Sequence, residues 1–327
     1  MIDKKVALTM AQTIYSGLRL SGEIMMGDIS MLNETWGIEG SLSFKLGKGN
    51  MPVIEINNGL AQASIALQGA HILSFQPKGE SELIWMSEDA TFATGKSLRG
   101  GVPICWPWFG AHASDSSLPG HGPARTVDWK PIASKSLADG RTSMSLEMQQ
   151  SDQVKAICGH PLQVQLHITV GKGLDIALET KNLGDTPFAL GQALHTYFQI
   201  SDVRKVSVEG LEGCEYLDKV DGFARKKQDG TVTISQETDR VYVNTGNHMR
   251  IVDTGLKRCI VISNKGSASA IVWNPWVETA EKMGDLGQDG YLNMLCVETA
   301  NAADDVIELA AGDTYVMSTE YRIEGII

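Results

Sequence analysis

An imidazole at His195, in the segment GQALHTYFQISD (191–202), and a carboxyl group at Glu298, in NMLCVETAN (293–301), are two side chains whose local sequence would let them move protons. Imidazole titrates near neutrality and can give or take a proton at that pH. Both segments alternate as strands do, so successive side chains fall on opposite faces. Gly191, Ala193 and His195 then share one face, with Leu194 and Phe198 on the other, and the two small residues leave space above the sheet at the histidine. In the second segment Met294, Cys296 and Glu298 share a face opposite Leu295, Val297 and Thr299. A carboxylate beside Met and Cys is partly desolvated, which disfavours its charged form and makes it a better base. Each segment alone also fits a structural reading: a histidine bonded within a sandwich, or a glutamate in an ion pair.

Two further stretches carry cations. LRGGVPICWPWFG (98–110) sets Arg99 on two glycines ahead of Pro103, Trp106, Pro107 and Trp108. Arginine's planar fork matches phosphate or carboxylate with paired hydrogen bonds, and a hydrophobic core does not tolerate it unpaired. Gly100 and Gly101 are expected to let backbone approach a bound group, with the Pro and Trp residues as a stiff wall behind. The competing reading pairs Arg99 with an acidic residue at a loop base and places the tryptophans in the core. No G-K-[ST] ending or helix pattern follows, which excludes a P-loop. GHGPARTVDW (120–129) presents His121 and Arg125 around Pro123 on a shaped loop ahead of a strand.

The elements that must position these groups are strands. From about residue 40 the chain reads as short alternating segments (SLSFKL, MPVIEI, ASIAL, TSMSLEM, LQVQLHITV, LDIALET, VTI, VYV, CIVIS, AIVWN, TYVMSTEYRI) separated by glycine, asparagine and aspartate turns. GKG between LQVQLHITV and LDIALET is the clearest hairpin. Helical pattern is expected only within residues 5–36 and at ETAEKMGDL (278–286). Residues 1–36 are therefore read as a partly helical N-terminal extension and 37–327 as one continuous β domain, a length that buries a sizeable core.

The 28 Lys and Arg against 39 Asp and Glu give a formal charge of −11 over 327 residues. That argues against general affinity for nucleic acid or an anionic membrane surface, so any anionic ligand must be held locally. Five cysteines, at 105, 158, 214, 259 and 296, form no C-x-x-C pair. Their odd count and wide spacing fit neither a disulfide framework nor a zinc site, and point to reduced thiols in the cytoplasm. The N-terminal MIDKKVALTMAQTIYSGLRLSG is interrupted by Gln12, Thr13 and Arg19 and does not read as a signal peptide. No run approaches transmembrane length.

In order along the chain, LRGGVPICWPWFG, HGPAR, ALHTYF, ETDRVY, VWNPW and MLCVETAN resemble the aldose 1-epimerase (mutarotase) superfamily, and within it the hexose-6-phosphate mutarotase branch, also called glucose-6-phosphate 1-epimerase. Several short motifs in fixed order are more specific than any one of them. One departure is the ending ETAN, which lacks the glycine-bearing form expected there. The resemblance implies an all-β, galactose-mutarotase-like β-supersandwich with a cleft on its concave face. It implies His195 as general acid and Glu298 as general base, His121 and Asp239 (of ETDRVY) holding sugar hydroxyls or steadying the pair, and Arg99 and Arg125 facing the anionic group. It further implies a small-molecule sugar phosphate as substrate. Acid/base ring opening needs no metal or other cofactor, in keeping with the lack of a nucleotide fingerprint and of clustered metal ligands, and a monomer is expected. Three rival readings stay open: a non-catalytic carbohydrate-binding domain using Trp106, Trp108, Trp273 and Trp276; a glycoside hydrolase using Asp239 and Glu298; and an epimerase for unphosphorylated aldoses.

Overall fold

The computed structural model describes residues 26–326. Strand formation follows the alternation. Leu162–Val170 and Leu174–Asn182 bury every second side chain, pair antiparallel from Val170 opposite Leu174, and turn through Gly171–Gly173, where the Gly171 N–H donates to the Gly173 carbonyl at 2.9 Å. Every segment expected as a strand contains one.

The strands assemble into two large antiparallel sheets and two smaller ones. In the nine-stranded sheet, the long C-terminal strand Thr314–Gly325 lies between Arg258–Lys265 and Leu174–Asn182. The eight-stranded sheet runs from Ala224–Lys227 through Glu215–Asp218, Thr238–Val243, Ser269–Asn274, Met294–Asn301 and Gln192–Leu194 to Ile104–Cys105, with Tyr197–Gln199 also paired to Met294–Asn301. Leu42–Leu46, Pro52–Asn57, Ala61–Ala66 and His71–Pro77 form a four-stranded sheet. This is the mostly β, antiparallel architecture expected.

Met294–Asn301 is buried at every position, so it has a core on both faces. Leu295 and Val297 join the main core, which also takes in Ile168, Leu178 and Ile260 of the nine-stranded sheet. Met294 and Cys296 point the other way, into a smaller cluster with Trp85, Tyr197 and Leu286. The period of two thus splits this strand as its sequence indicates.

Three α-helices occur among the described residues. In the N-terminal extension, residues 1–25 lie outside the described residues, whereas Met26–Trp36 (α1) buries Ile29 and Leu32 in the main core. Asn33 ties it down, donating to the Phe44 carbonyl and accepting from the Phe44 N–H, both at 2.8 Å. Asp152–Cys158 (α2) corrects the expectation of no helix between the N-terminus and residue 278. At seven residues it is too short to display a 3.6-residue period, and its caps define it: Ser151 Oγ accepts from the Val154 N–H, and Gly159 ends it at φ +64°. Trp276–Met283 (α3) overlaps the expected 278–286 and stops at Gly284, φ +70°. Among the described residues no helix is long and apolar enough to cross a membrane.

Candidate active site

The strand Gln192–Leu194 breaks at His195, whose N–H donates to the Pro103 carbonyl at 2.9 Å, and pairing resumes at Tyr197. Both pieces pair with Met294–Asn301, Leu194 opposite Thr299 and Tyr197 opposite Cys296, so the break lies beside Glu298. Residues 103 positions apart thereby meet: His195 Nδ1 lies 3.4 Å from Glu298 Oε1, with side-chain exposures of 13% and 1%. The contact lacks hydrogen-bond alignment, and His195 Nδ1 and both Glu298 oxygens have no hydrogen-bond partner. Tyr197 stacks on the imidazole at 5.0 Å and 13°, and Trp273 meets both rings edge-on at 5.8 Å, which fixes the imidazole plane.

Burial pushes the Glu298 carboxyl well above the usual range, and the charge of Asp239 adds to this against Lys219 and Arg125. Burial likewise drives His195 well below its ordinary value, with His121, Arg125 and Arg99 acting in the same direction. Both shifts favour the uncharged forms in the free site, a neutral imidazole beside a protonated carboxyl, so one proton is available between two groups able to transfer it.

His121 stands edge-on to His195 at 5.9 Å and to Phe109 at 4.9 Å. Its N–H donates to the Gly110 carbonyl at 2.6 Å, and its Nδ1 accepts from the Gly110 N–H at 3.2 Å, an arrangement that leaves the ring proton on Nε2. Burial first, then Arg125 and Lys219, lower its pKa to about 3. Gly122 lets this loop close: at φ +68° a Cβ would stand 1.9 Å from the Trp106 carbonyl oxygen. Arg125 leaves a short 3-10 turn, Ala124–Thr126, and donates to the Gly120 carbonyl at 3.0 Å. Its charge acts on His121, His195 and Glu298. Asp239 Oδ2 pairs with Lys219 Nζ at 2.6 Å while Oδ1 is buried without a partner.

Arg99 donates from Nε to Asp285 Oδ1 at 2.9 Å and from Nη1 to the Tyr197 hydroxyl at 3.0 Å. Its surroundings correct two expectations. Gly100 makes room for the backbone of Trp85 and Met86, and Gly101 for the His71 ring and the Ile72 carbonyl, not for a ligand. A Cβ at Gly100 (φ +104°) would stand 2.6 Å from the Trp85 carbonyl oxygen, and one at Gly101 (φ +72°) 2.3 Å from His71 Nε2. Nor do the tryptophans of this stretch form a common wall. Trp106 is wholly buried in the main core and donates to Thr180 Oγ1, whereas Trp108 donates to the Pro119 carbonyl. Trp273, on another strand, borders the acid/base pair instead.

The six sequence-derived residues thus fall into one electrostatically coupled group, with His195 and Glu298 at its centre. Tyr197, Lys219 and Asp285 belong to it and were not singled out from sequence. Tyr197 had a signal, two residues beyond His195 in an alternating segment. Asp285 lies 186 residues from Arg99, a separation that no local pattern spans. A cavity of about 410 Å³ lined by Trp108, Phe109, Phe188 and Gly191 adjoins the group through Phe109. A larger one of about 720 Å³, lined by Lys130, Glu147, Gln149 and Gln163, shares no residue with it. For a metal, the donors His195, Cys296 and Glu298 offer atoms within 4.8 Å of one another.

The family model for aldose 1-epimerase matches residues 52–322. The chain is 40% identical over 255 residues, 78% of its length and 84% of the relative's, to the Escherichia coli (strain K12) protein named "Putative glucose-6-phosphate 1-epimerase". It is 34% identical over 268 residues, 77% of its length and 78% of the relative's, to a protein of the same name from Cenchrus ciliaris. The crystal structure of "a putative mutarotase (YeaD)" from Salmonella typhimurium superposes with a TM-score of 0.82 at 34% identity, covering 89% of this chain and 96% of that one. The fold, the ordered motifs and these matches agree: the chain belongs to the aldose 1-epimerase family.

Proposed function

We propose that the protein is a cytoplasmic, monomeric hexose-6-phosphate mutarotase that interconverts the α and β anomers of glucose 6-phosphate by acid/base opening and closing of the ring. The observation that carries this reading is the juxtaposition of His195 and Glu298, 3.4 Å apart, buried, and without hydrogen-bond partners on the facing atoms. Glu298 takes the proton of the C1 hydroxyl while His195 gives one to the ring oxygen. The C1–O5 bond breaks, leaving the open-chain aldehyde. Rotation about C1–C2 turns the other carbonyl face to the C5 hydroxyl, and reclosure returns both protons. One acid and one base suffice, and positioned proton transfer supplies about 10²–10⁴-fold.

The reactive form has the shared proton on His195 and Glu298 as carboxylate. Burial opposes that form in the free site. Sugar hydroxyls donating to Glu298 and a nearby phosphate dianion favour it, because each stabilises one of the two charges. The unpartnered Asp239 Oδ1 and the Nε2 proton of His121 suit sugar hydroxyls. Arg99 and Arg125 suit the phosphate, which a surface of net charge −11 would otherwise repel. The names of the relatives, glucose-6-phosphate 1-epimerase, support the same substrate.

Because Arg99 is already paired with Asp285, an uncharged sugar is the second reading. NMR exchange spectroscopy between anomers of glucose 6-phosphate, with glucose and galactose in parallel, separates the two. Selective acceleration for the phosphate ester is the expected result, and equal acceleration for free glucose would contradict the phosphate assignment.

A further inference from the structure

We propose that His195, Cys296 and Glu298 form a binding site for a zinc-like divalent cation, and that its occupation switches off the acid/base pair. One nitrogen, one sulfur and one carboxylate oxygen lie within 4.8 Å of one another. Zinc–nitrogen and zinc–oxygen bonds of about 2.0–2.2 Å at a tetrahedral angle hold their two ligand atoms roughly 3.4 Å apart. The His195 Nδ1 to Glu298 Oε1 separation is 3.4 Å. That contact is not aligned as a hydrogen bond, and neither atom has another partner. The spacing therefore suits two groups that share an ion better than two that bond each other.

The site is also built before any ion arrives. Cys296 and Glu298 occupy alternate positions of a strand buried throughout, and Tyr197 and Trp273 hold the imidazole in place beside it. The acid/base reaction makes no use of the Cys296 thiol. A set of imidazole, thiolate and carboxylate selects zinc or a similar metal over magnesium and calcium, which prefer all-oxygen shells. Two anionic ligands and a neutral imidazole balance a dication, with the thiol and carboxyl protons released to solvent. Arg99, Arg125 and Lys219 oppose a cation here, and Asp239 offsets them in part. These cationic side chains weaken the binding and so make it reversible, and it is inhibitory because the ion takes the His195 nitrogen and the Glu298 oxygen that the proton transfers need.

The test is titration of zinc chloride into the full chain by calorimetry, and of cobalt(II) by near-ultraviolet absorption. The proteins are the unsubstituted one, Cys296→Ala, Cys296→Ser and, as a control, Cys214→Ser. The expected result is one ion per chain and a thiolate-to-cobalt charge-transfer band. Both Cys296 variants should lose affinity by roughly tenfold or more, with no loss in the control. Absence of binding, or undiminished binding in folded Cys296 variants, would overturn the site. These readings need no turnover, so they stand or fall separately from the sugar-phosphate assignment. The inhibitory half rests on that assignment. It expects added zinc to stop anomer exchange, and Cys296→Ala to keep exchange in chelator-treated buffer while resisting zinc. Continued exchange with zinc bound would overturn it.

Discussion

Tyr197 couples the two halves of the site: its ring lies parallel to His195, and its hydroxyl accepts from Arg99, which Asp285 holds from the other side. Tyr197→Phe keeps the ring and removes the acceptor. A hydrogen bond to a charged group contributes about 1.5–3 kcal/mol. Part of that loss should reach the substrate through a less well-aimed Arg99. The expected outcome is a KM for glucose 6-phosphate raised on the order of tenfold, with kcat nearly unchanged, read from saturation of anomer exchange. A fall in kcat at constant KM would place the hydroxyl in the chemistry instead. At this scale the sequence reveals His195 and Glu298 because a period of two assigns their faces. It conceals Lys219 and Asp285, whose significance lies in their partners: each is an ordinary surface-type residue until folding brings it to Asp239 or Arg99.

At the scale of elements, the site depends on a strand buried on both faces and on loops that close against it without room for side chains. Gly122 is the sharpest case, with positive φ and a hypothetical Cβ 1.9 Å from the Trp106 carbonyl oxygen. Gly40, at φ +72°, has nothing within 4 Å of the same position. Gly40→Ala should therefore lose only the roughly 1–2 kcal/mol of a left-handed non-glycine residue. Gly122→Ala should lose clearly more and disturb His121, as measured by urea unfolding of both variants. Equal losses would mean that the loop relaxes away from Trp106. The long hairpins are legible in sequence because alternation persists over nine residues. Ile104–Cys105 is not, since two residues define no period. The same limit hides α2.

For the whole molecule, buried imidazoles set the response to acid. His71, whose Nε2 lies 2.8 Å from the Gly100 carbonyl oxygen, is lowered to about 4, chiefly by burial. His121 is lowered to about 3, also by burial first. Unfolded histidine titrates near 6.5, so between that pH and these folded values the unfolded chain binds more protons. Their contribution to stability is full above pH 6.5 and is lost as pH falls through about 4 and then about 3. Glu298, raised in the folded state, acts oppositely: it stabilises at low pH and the contribution is lost as pH rises through its folded value. Urea midpoints measured from pH 7 to pH 4 should decline, and His71→Gln should flatten the decline. An unchanged slope would show that His71 does not carry it. The all-β class was legible at this scale from strand texture and turn residues. The order of strands in the two large sheets was not, because neighbours such as Gln192–Leu194 and Met294–Asn301 are paired by folding across some hundred residues.

The account rests on Glu298 as the base that takes the anomeric proton. Glu298→Gln preserves size and hydrogen-bonding capacity and removes the proton acceptor. Anomer exchange of glucose 6-phosphate by this variant, measured beside calorimetric binding of the same sugar phosphate, should fall by about 10²–10⁴-fold with affinity retained. Near-normal exchange by a Glu298→Gln protein that still binds the sugar phosphate would contradict it.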